Sequence, residues 1–559
     1  MANILSTTAW DELIRSKPLA AGLGLFSHFV FGRGEWDHST HLLLLAWMAT
    51  FATLTVVEYT VDARVQSVFQ ALQVAGTAAA TYLATLATSI LIYRAFFHRL
   101  RKFPGPFAAR LSKWWSLGMV VPKCQLYNNV EQLHKEYKSD IVRTGPRELS
   151  IISADAIPLV HSATTKCTKG PWYAGAYSIE GASTHTTRDK QDHKERRKNW
   201  DRAFNAKSLR DYEPRVNRHS LTLMERLSEH AHESSVRISD WLNYYSFDVI
   251  GDIGFSHNFG MLEKGKEDRL ITLLHKSMAP VAVLGHLSWM LSVLTRVKIG
   301  LDDMFEFIAW TQTTLRERKK ITPKENDIFS WLLDPNDEDI PLHLNADSRL
   351  LIVAGSDTTS ATLTWLFYEL CKHPEAQKKL QKAVDAIAPG KSFLDADDVA
   401  NCPQLDGVIH EALRLHPAVP SGTQRETPPS GLTLPDQTFI PGNTLIWMPA
   451  HTLQRDARYF PSPLSFMPER WTSESPDYVA DKRAFMAFST GAYNCVGQKL
   501  SLMEMRSVVA NVVRRFWVEF AAGEDGGACE RETKDCFTLN VGKLDVRLTV
   551  RGEGGNGKA

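Results

Sequence analysis

The stretch FSTGAYNCVGQKLS, Phe488 to Ser501, sets Cys495 between Gly491 and Gly497, just ahead of a segment with helical spacing. A single cysteine in a loop is more often inert than catalytic, so its setting between two glycines has to be explained by what surrounds it. The remaining cysteines are Cys124, Cys167, Cys371, Cys402, Cys529 and Cys536, with no Cys-x-x-Cys pairing. An odd, scattered set argues against a disulfide framework or structural zinc, and for a reducing environment around most of the chain.

A second chemical signal lies in NADSRLLIVAGSDTTSATLTWLFYELCKHP, Asn345 to Pro374, which reads as a helix opened by capping residues and stopped by proline. Its middle is poor helix material: Gly355 costs up to about 1 kcal/mol relative to alanine. Ser356, Asp357, Thr358, Thr359 and Ser360 then place polar groups inside an apolar run. Such a breach of propensity is expected where function requires it. Gly355 admits something bulky to the backbone, and Asp357 beside Thr358 can carry a proton. A helix kinked by hydroxyls bonding back to its own carbonyls is the competing reading. Farther on, Glu411 and Arg414 in EALRLHP share a helix face, and Arg470 in FMPERW supplies a second guanidinium. Sharing one carboxylate turns a simple pair into a buried three-membered network.

These residues need a large scaffold. With 64 basic and 63 acidic side chains the net charge is +1, which gives no basis for a nucleic-acid partner. Hydrophobic residues make up 44% of the chain, and the first hundred positions hold a disproportionate share. His41–Val57 and Leu72–Tyr93 are apolar runs, and a bilayer core takes about 20 residues of helix. The second meets that length outright, the first only by continuing past Glu58, and Leu19–Gly32 is shorter, so two or three spans are expected. A buried core hairpin is the alternative, but soluble helices of this length keep a polar face. Asp11 and Glu12 ahead of the first run disfavour a cleaved signal peptide. Arg94, His98, Arg99, Arg101 and Lys102 follow the second span and hold that flank on the cytoplasmic side. Pro104 and Pro106 then give an extended connector.

The expected organisation is a membrane anchor over 1–95, a basic and proline-rich connector over 96–110, a catalytic domain over 111–551 and a disordered tail over 552–559. The body reads as mainly α with small β-sheets. Strand signals fall at Ile141–Arg143, Ser150–Ile152 and Thr433–Ile440. A closing hairpin is expected where Phe537, Leu539 and Val541, then Leu544, Val546, Leu548 and Val550, alternate with polar residues. In Met278–Leu294, Pro280, Gly285 and His286 argue against a regular spanning helix and for a loop-and-helix lip dipping into the membrane.

In order and spacing these motifs resemble the cytochrome P-450 monooxygenases over roughly residues 100 to 550. Phe488, Gly491, Cys495 and Gly497 fit the family's haem loop, F-x-x-G-x-[R/H]-x-C-x-G, and Ala354–Thr359 fits its A-G-x-[D/E]-T-T motif. Glu411 and Arg414 fit its E-x-x-R, Pro468–Trp471 its P-E-R-[F/W], and His193 with Arg197 its W-x-x-x-R.

The resemblance implies the cytochrome P-450 fold preceded by transmembrane helices, with haem b bound through Cys495 as a thiolate whose electron push favours dioxygen cleavage. It implies His193, Arg197 and Arg425 as propionate partners and Phe488 as packing near the sulfur. Asp357 and Thr358 become the acid and alcohol that manage protons, and Glu411, Arg414 and Arg470 a structural triad. One position departs: the family's basic residue two before the cysteine is Tyr493, which hydrogen-bonds a propionate without neutralising it. A weaker hold on haem is what that puts in question. By family position Trp172, Tyr173, Tyr177, Val353, Ala354 and Val419–Thr423 line the pocket.

The function so implied is oxygen insertion, hydroxylation or epoxidation, into a lipophilic small molecule. The implied partners are a separate NADPH-cytochrome P-450 reductase and membrane lipid, with the catalytic domain on the cytosolic side of the endoplasmic reticulum. The multi-span N-terminus is most like filamentous-fungal enzymes of secondary metabolism. An oxygen-independent isomerase or dehydratase, and a non-catalytic haem-binding protein, are the alternatives.

Overall fold

The computed structural model describes residues 15–62, 64–121, 123–175, 181–472 and 478–552. Tyr177 and most of the 552–559 tail lie outside the described residues.

The N-terminal apolar runs form α1 (Lys17–Phe31), α2 (Thr40–Val61) and α3 (Val68–Ile92). α2 continues past Glu58, whose carboxylate Arg15 reaches, Nη2 to Oε2 3.3 Å, along with Asp62. The segments Asp37–Val61 and Val68–Phe97 are long and apolar enough to cross a membrane. α1 rises about 22 Å, short of a hydrocarbon core of about 30 Å. It packs along α3 instead, with the Tyr82 hydroxyl donating to Ser27 at 3.0 Å and His28 Nδ1 2.7 Å from Ser89 Oγ. Short polar bridges of this kind hold helices together where apolar burial supplies no drive.

The anchor meets the body through charge. Glu35, in the α1–α2 connector, accepts two bonds from Arg188 at 2.6 and 3.0 Å. Arg188 also donates to Glu426 at 3.1 Å, which receives Arg147 at 2.9 Å.

In the body the helices that matter for the site are α4 (Lys190–Ala203), α5 (Ile238–Phe255), α6 (Arg269–Leu284), α7 (Ser288–Val297), α8 (Asp302–Lys319), α9 (Leu342–Lys372), α10 (Pro403–Leu415) and α11 (Gln498–Arg515). α9 runs through the centre, mostly buried and packed against α5. It starts three residues before Asn345, after Pro341, with no side-chain cap, and Asn345 is buried inside it. Pro374 ends the helix as expected, because it bars the preceding residue from helical geometry.

The segment Arg269–Val297 is also long and apolar enough to cross, but it is broken by a 3-10 turn over Gly285–Leu287 and partly buried in the body. Gly285 and His286 interrupt the helix as expected, whereas Pro280 is accommodated inside α6. α7 packs on α2, and its Trp289 is edge-on at 6.3 Å to Trp114 of the short helix Trp114–Val120.

The largest sheet has the strand order Ile141–Gly145, Glu148–Ile151, Leu445–Trp447, Arg425–Glu426, Thr168–Lys169. Its last pair is antiparallel and puts Lys169 directly opposite Arg425. Thr433–Ile440 resolves into two short paired strands, Leu432–Thr433 and Phe439–Ile440. The closing hairpin does not form. Thr538–Asn540 pairs with Lys534–Cys536, and Asp545–Val550 pairs with Phe516–Phe520. Alternation fixes which face of a strand is buried but not which strand it pairs with.

Candidate active site

A cavity of ≈ 350 Å³ lies between the middle of α9 and the Cys495 loop, closed on other sides by α6, α8 and the Lys169–Arg425 end of the sheet. Thr358, Phe488, Tyr493, Cys495, Gly497 and Arg425, all singled out from the sequence, line it. So do His193 and Arg197 from α4.

The loop is built around one sharp turn. Gly491 has φ +73°, and a Cβ there would stand 1.8 Å from the His161 carbonyl oxygen, so only glycine fits. Gly497 has no such requirement among protein atoms: a Cβ would make ordinary contact with Phe204 and with Cys495 Sγ at 3.9 Å. The Cys495 N–H donates to the Phe488 carbonyl at 2.9 Å, closing the turn. Cys495 is exposed to the cavity it lines, and the protein around the loop still desolvates its sulfur. Burial pushes the thiol up; the N–H groups of Gly497 and Gln498 and the charge of Arg197 pull the other way.

Arg197 spends three of its N–H groups on the loop and its own helix: Asn494 O at 2.8 Å, Asn494 Oδ1 at 3.0 Å and Asp201 at 2.8 Å. It clamps the loop and retains donors for a ligand. His193 is edge-on to Tyr493 at 4.6 Å, and burial with Lys169, Arg197 and Arg425 nearby holds its pKa down to about 3. Arg425 is 1% exposed, donates to Tyr173 Oη at 3.2 Å and leaves Nε with no partner among the described residues.

On the opposite wall the polar middle of α9 feeds its hydroxyls back into the helix: Ser356 to Ile352, Thr358 to Ala354 and Thr362 to Thr358 carbonyls, at 2.5, 2.7 and 2.8 Å. The helix remains continuous. With its proton directed to Ala354, Thr358 presents lone pairs to the cavity. Asp357 is buried behind the wall, outside the cavity lining, with Oδ1 3.4 Å from His275 Nε2 on α6. His275 carried no sequence motif. The bulky neighbour at Gly355 is protein, since a Cβ there would meet Ile250 Cδ1 of α5 at 2.4 Å. Thr359 is buried, with its hydroxyl 3.4 Å from Ser501 Oγ on α11.

Glu411, Arg414 and Arg470 come together away from the cavity, all wholly buried at their side chains. Glu411 accepts from Arg414 at 2.8 and 2.9 Å, Arg470 at 3.0 Å, Trp471 Nε1 at 2.9 Å and the Met467 N–H at 2.9 Å. The other guanidinium bonds go to carbonyls of Gln454, Pro463, Ser465, Ser462 and Tyr478 and to the Met467 sulfur.

Of the expected pocket residues, Trp172, Tyr173, Val353, Ala354, Val419, Gly422 and Thr423 line the cavity. Met304, Phe307 and Ile308 of α8 and Met278 and Val281 of α6 add an apolar wall that no motif marked.

A cytochrome P-450 family model matches residues 104–543. The chain belongs to the cytochrome P-450 family. It is 38% identical over 537 residues to the cytochrome P-450 monooxygenase FCK2 of Fusarium pseudograminearum, covering 95% of this chain and 96% of that one. It is 34% identical over 558 residues to phqL of Penicillium fellutanum, covering 98% and 97%. With the tryprostatin B 6-hydroxylase of Aspergillus fumigatus it shares 36% over 479 residues, 84% of each chain. This cytochrome P-450 is therefore a monooxygenase with a haem cofactor held through cysteine thiolate, and its N-terminal helices associate it with membrane.

The residues present fit that cofactor. A cysteine sulfur with two N–H groups aimed at it faces one side of the cavity, and a buried group of cations with an unpartnered Arg425 Nε stands at its edge. An anionic thiolate ligand and two propionates require such donors.

Proposed function

We propose that this cytochrome P-450 inserts one atom of dioxygen into a C–H or C=C bond of a lipophilic small molecule, by hydroxylation or epoxidation, in fungal secondary metabolism. Two electrons from NADPH and two protons convert the second oxygen atom to water. The haem, when bound, supplies oxygen activation; the chain's residues place the substrate and the protons.

Cys495 is the proposed ligand, with His193, Arg197, Arg425 and Tyr493 toward the propionates and Phe488, Gly491 and Gly497 shaping the loop. The apolar wall of Met278, Val281, Met304, Phe307 and Ile308 favours a lipophilic substrate over a charged one. The names of the tryprostatin B 6-hydroxylases support a hydroxylation. Lys194, Lys198 and Arg202 are exposed at four-residue spacing on α4, the helix whose Arg197 holds the Cys495 loop. That stripe suits an acidic redox partner, which we assign as a separate NADPH-cytochrome P-450 reductase. The basic flank after α3 favours a cytosolic catalytic domain on the endoplasmic reticulum.

The observation that carries the oxygen-activating reading is Thr358 at the cavity wall with Asp357 buried directly behind it. Thr358 holds a water by accepting its hydrogen bond, and Asp357 resupplies the proton from the His275 side. In Thr358→Ala the water that relays the proton loses its acceptor, and the product formed per NADPH falls about tenfold or more, the scale for disrupting a positioned proton transfer. The missing oxygen appears as hydrogen peroxide. Unchanged coupling would contradict the assignment.

A further inference from the structure

The position two before Cys495 carries no charge, yet a cation stands on it. Lys169 Nζ lies 4.6 Å from the centre of the Tyr493 ring and 5.7 Å from that of Tyr173, with the Arg425 guanidinium 4.8 Å from the Tyr493 ring. Lys169 is 2% exposed and lines the cavity, and its ammonium makes one hydrogen bond, to the Thr184 carbonyl at 3.1 Å. No carboxylate among the described residues forms an ion pair with it. Asp347 bonds Thr184 and Trp200, and Asp192 bonds Thr187 and Arg196.

This placement is costly for protein alone. Lys169 and Arg425 are direct cross-strand partners, and like charges facing each other across a strand pair repel. Burial, with Arg425 beside it, pulls the Lys169 ammonium well below its ordinary value. A buried cation lacking a counter-charge is retained where a ligand supplies one.

We propose that Lys169 provides the charge that position 493 lacks, pairing with a haem propionate alongside Arg425, while the Tyr493 ring holds both cations in place. His193 sits edge-on to the same ring.

The test is a double-mutant cycle read by the rate at which ferric haem leaves the full-length holoenzyme for a high-affinity apoprotein scavenger. Removing a hydrogen-bonded charge partner costs about tenfold or more in retention. Lys169→Met releases haem faster by that factor, Lys169→Arg stays near the parent, and exposed Lys190→Met has no effect. Tyr493→Arg alone gives no gain, because the charge is already supplied, but in the Lys169→Met background it restores retention. Haem loss from Lys169→Met no faster than from the parent would overturn the proposal. If Lys169→Met fails to assemble, restoration of a haem-retaining protein by added Tyr493→Arg supports it, and failure of that rescue counts against it.

Discussion

Two buried clusters of positive charge sit in the same domain and are satisfied in opposite ways. In the Glu411 cluster both guanidiniums share one carboxylate, and their remaining donors reach backbone carbonyls. In the cluster around Tyr493, Lys169 and Arg425 face each other, and among the described residues no acid pairs with either and Arg425 Nε has no partner. A closed network answers to the fold alone; an open one answers to a ligand. The contrast separates residues that hold the protein together from those we propose hold its cofactor, although both sets are cationic and buried.

Mutation should break the two clusters differently. The largest effect is expected from Glu411→Ala, which strands two buried guanidiniums and costs about 3–5 kcal/mol, enough to abolish a stable haem-loaded protein. Chemical denaturation of Glu411→Ala beside the parent checks this; a loss under about 1 kcal/mol would place the network outside the structural class. Next comes Arg425→Met, which removes a charge from the open cluster. Haem release quickens about tenfold or more while the unfolding midpoint falls far less than in Glu411→Ala.

Glu35→Gln weakens the clamp between anchor and body, a partly exposed interaction worth about 1 kcal/mol or less. It should leave haem content unchanged while raising protease sensitivity around Arg188. The smallest change is Thr359→Ala, whose hydroxyl makes one long contact with Ser501. It should shift stability by about 0.5 kcal/mol or less and leave product per NADPH near the parent value.

Legibility in the sequence follows the same division. Gly491 and Cys495 could be read because one backbone conformation or one donor atom admits a single residue type. Glu411 and Arg414 were legible from their spacing, and Arg470 from its motif. What could not be read depends on distant chain segments meeting. His275 reaches Asp357 across two helices, and Lys169 reaches the site only through pairing of its strand with Arg425. The tyrosine at 493 was the available clue, a missing charge with no indication of where its replacement lay. The closing strands failed as a hairpin for a related reason, since their alternation carries no information about partners.

Cys495 is the residue we propose as the thiolate that holds haem. The most direct test of that proposal is the absorption spectrum of the reduced, carbon monoxide-bound protein for Cys495→Ala, Cys371→Ala, Cys402→Ala and the parent. The red-shifted band of thiolate ligation should persist in the parent and in the Cys371 and Cys402 variants, and vanish in Cys495→Ala. A Cys495→Ala protein that keeps that band would contradict the assignment of the cavity as a haem-thiolate site.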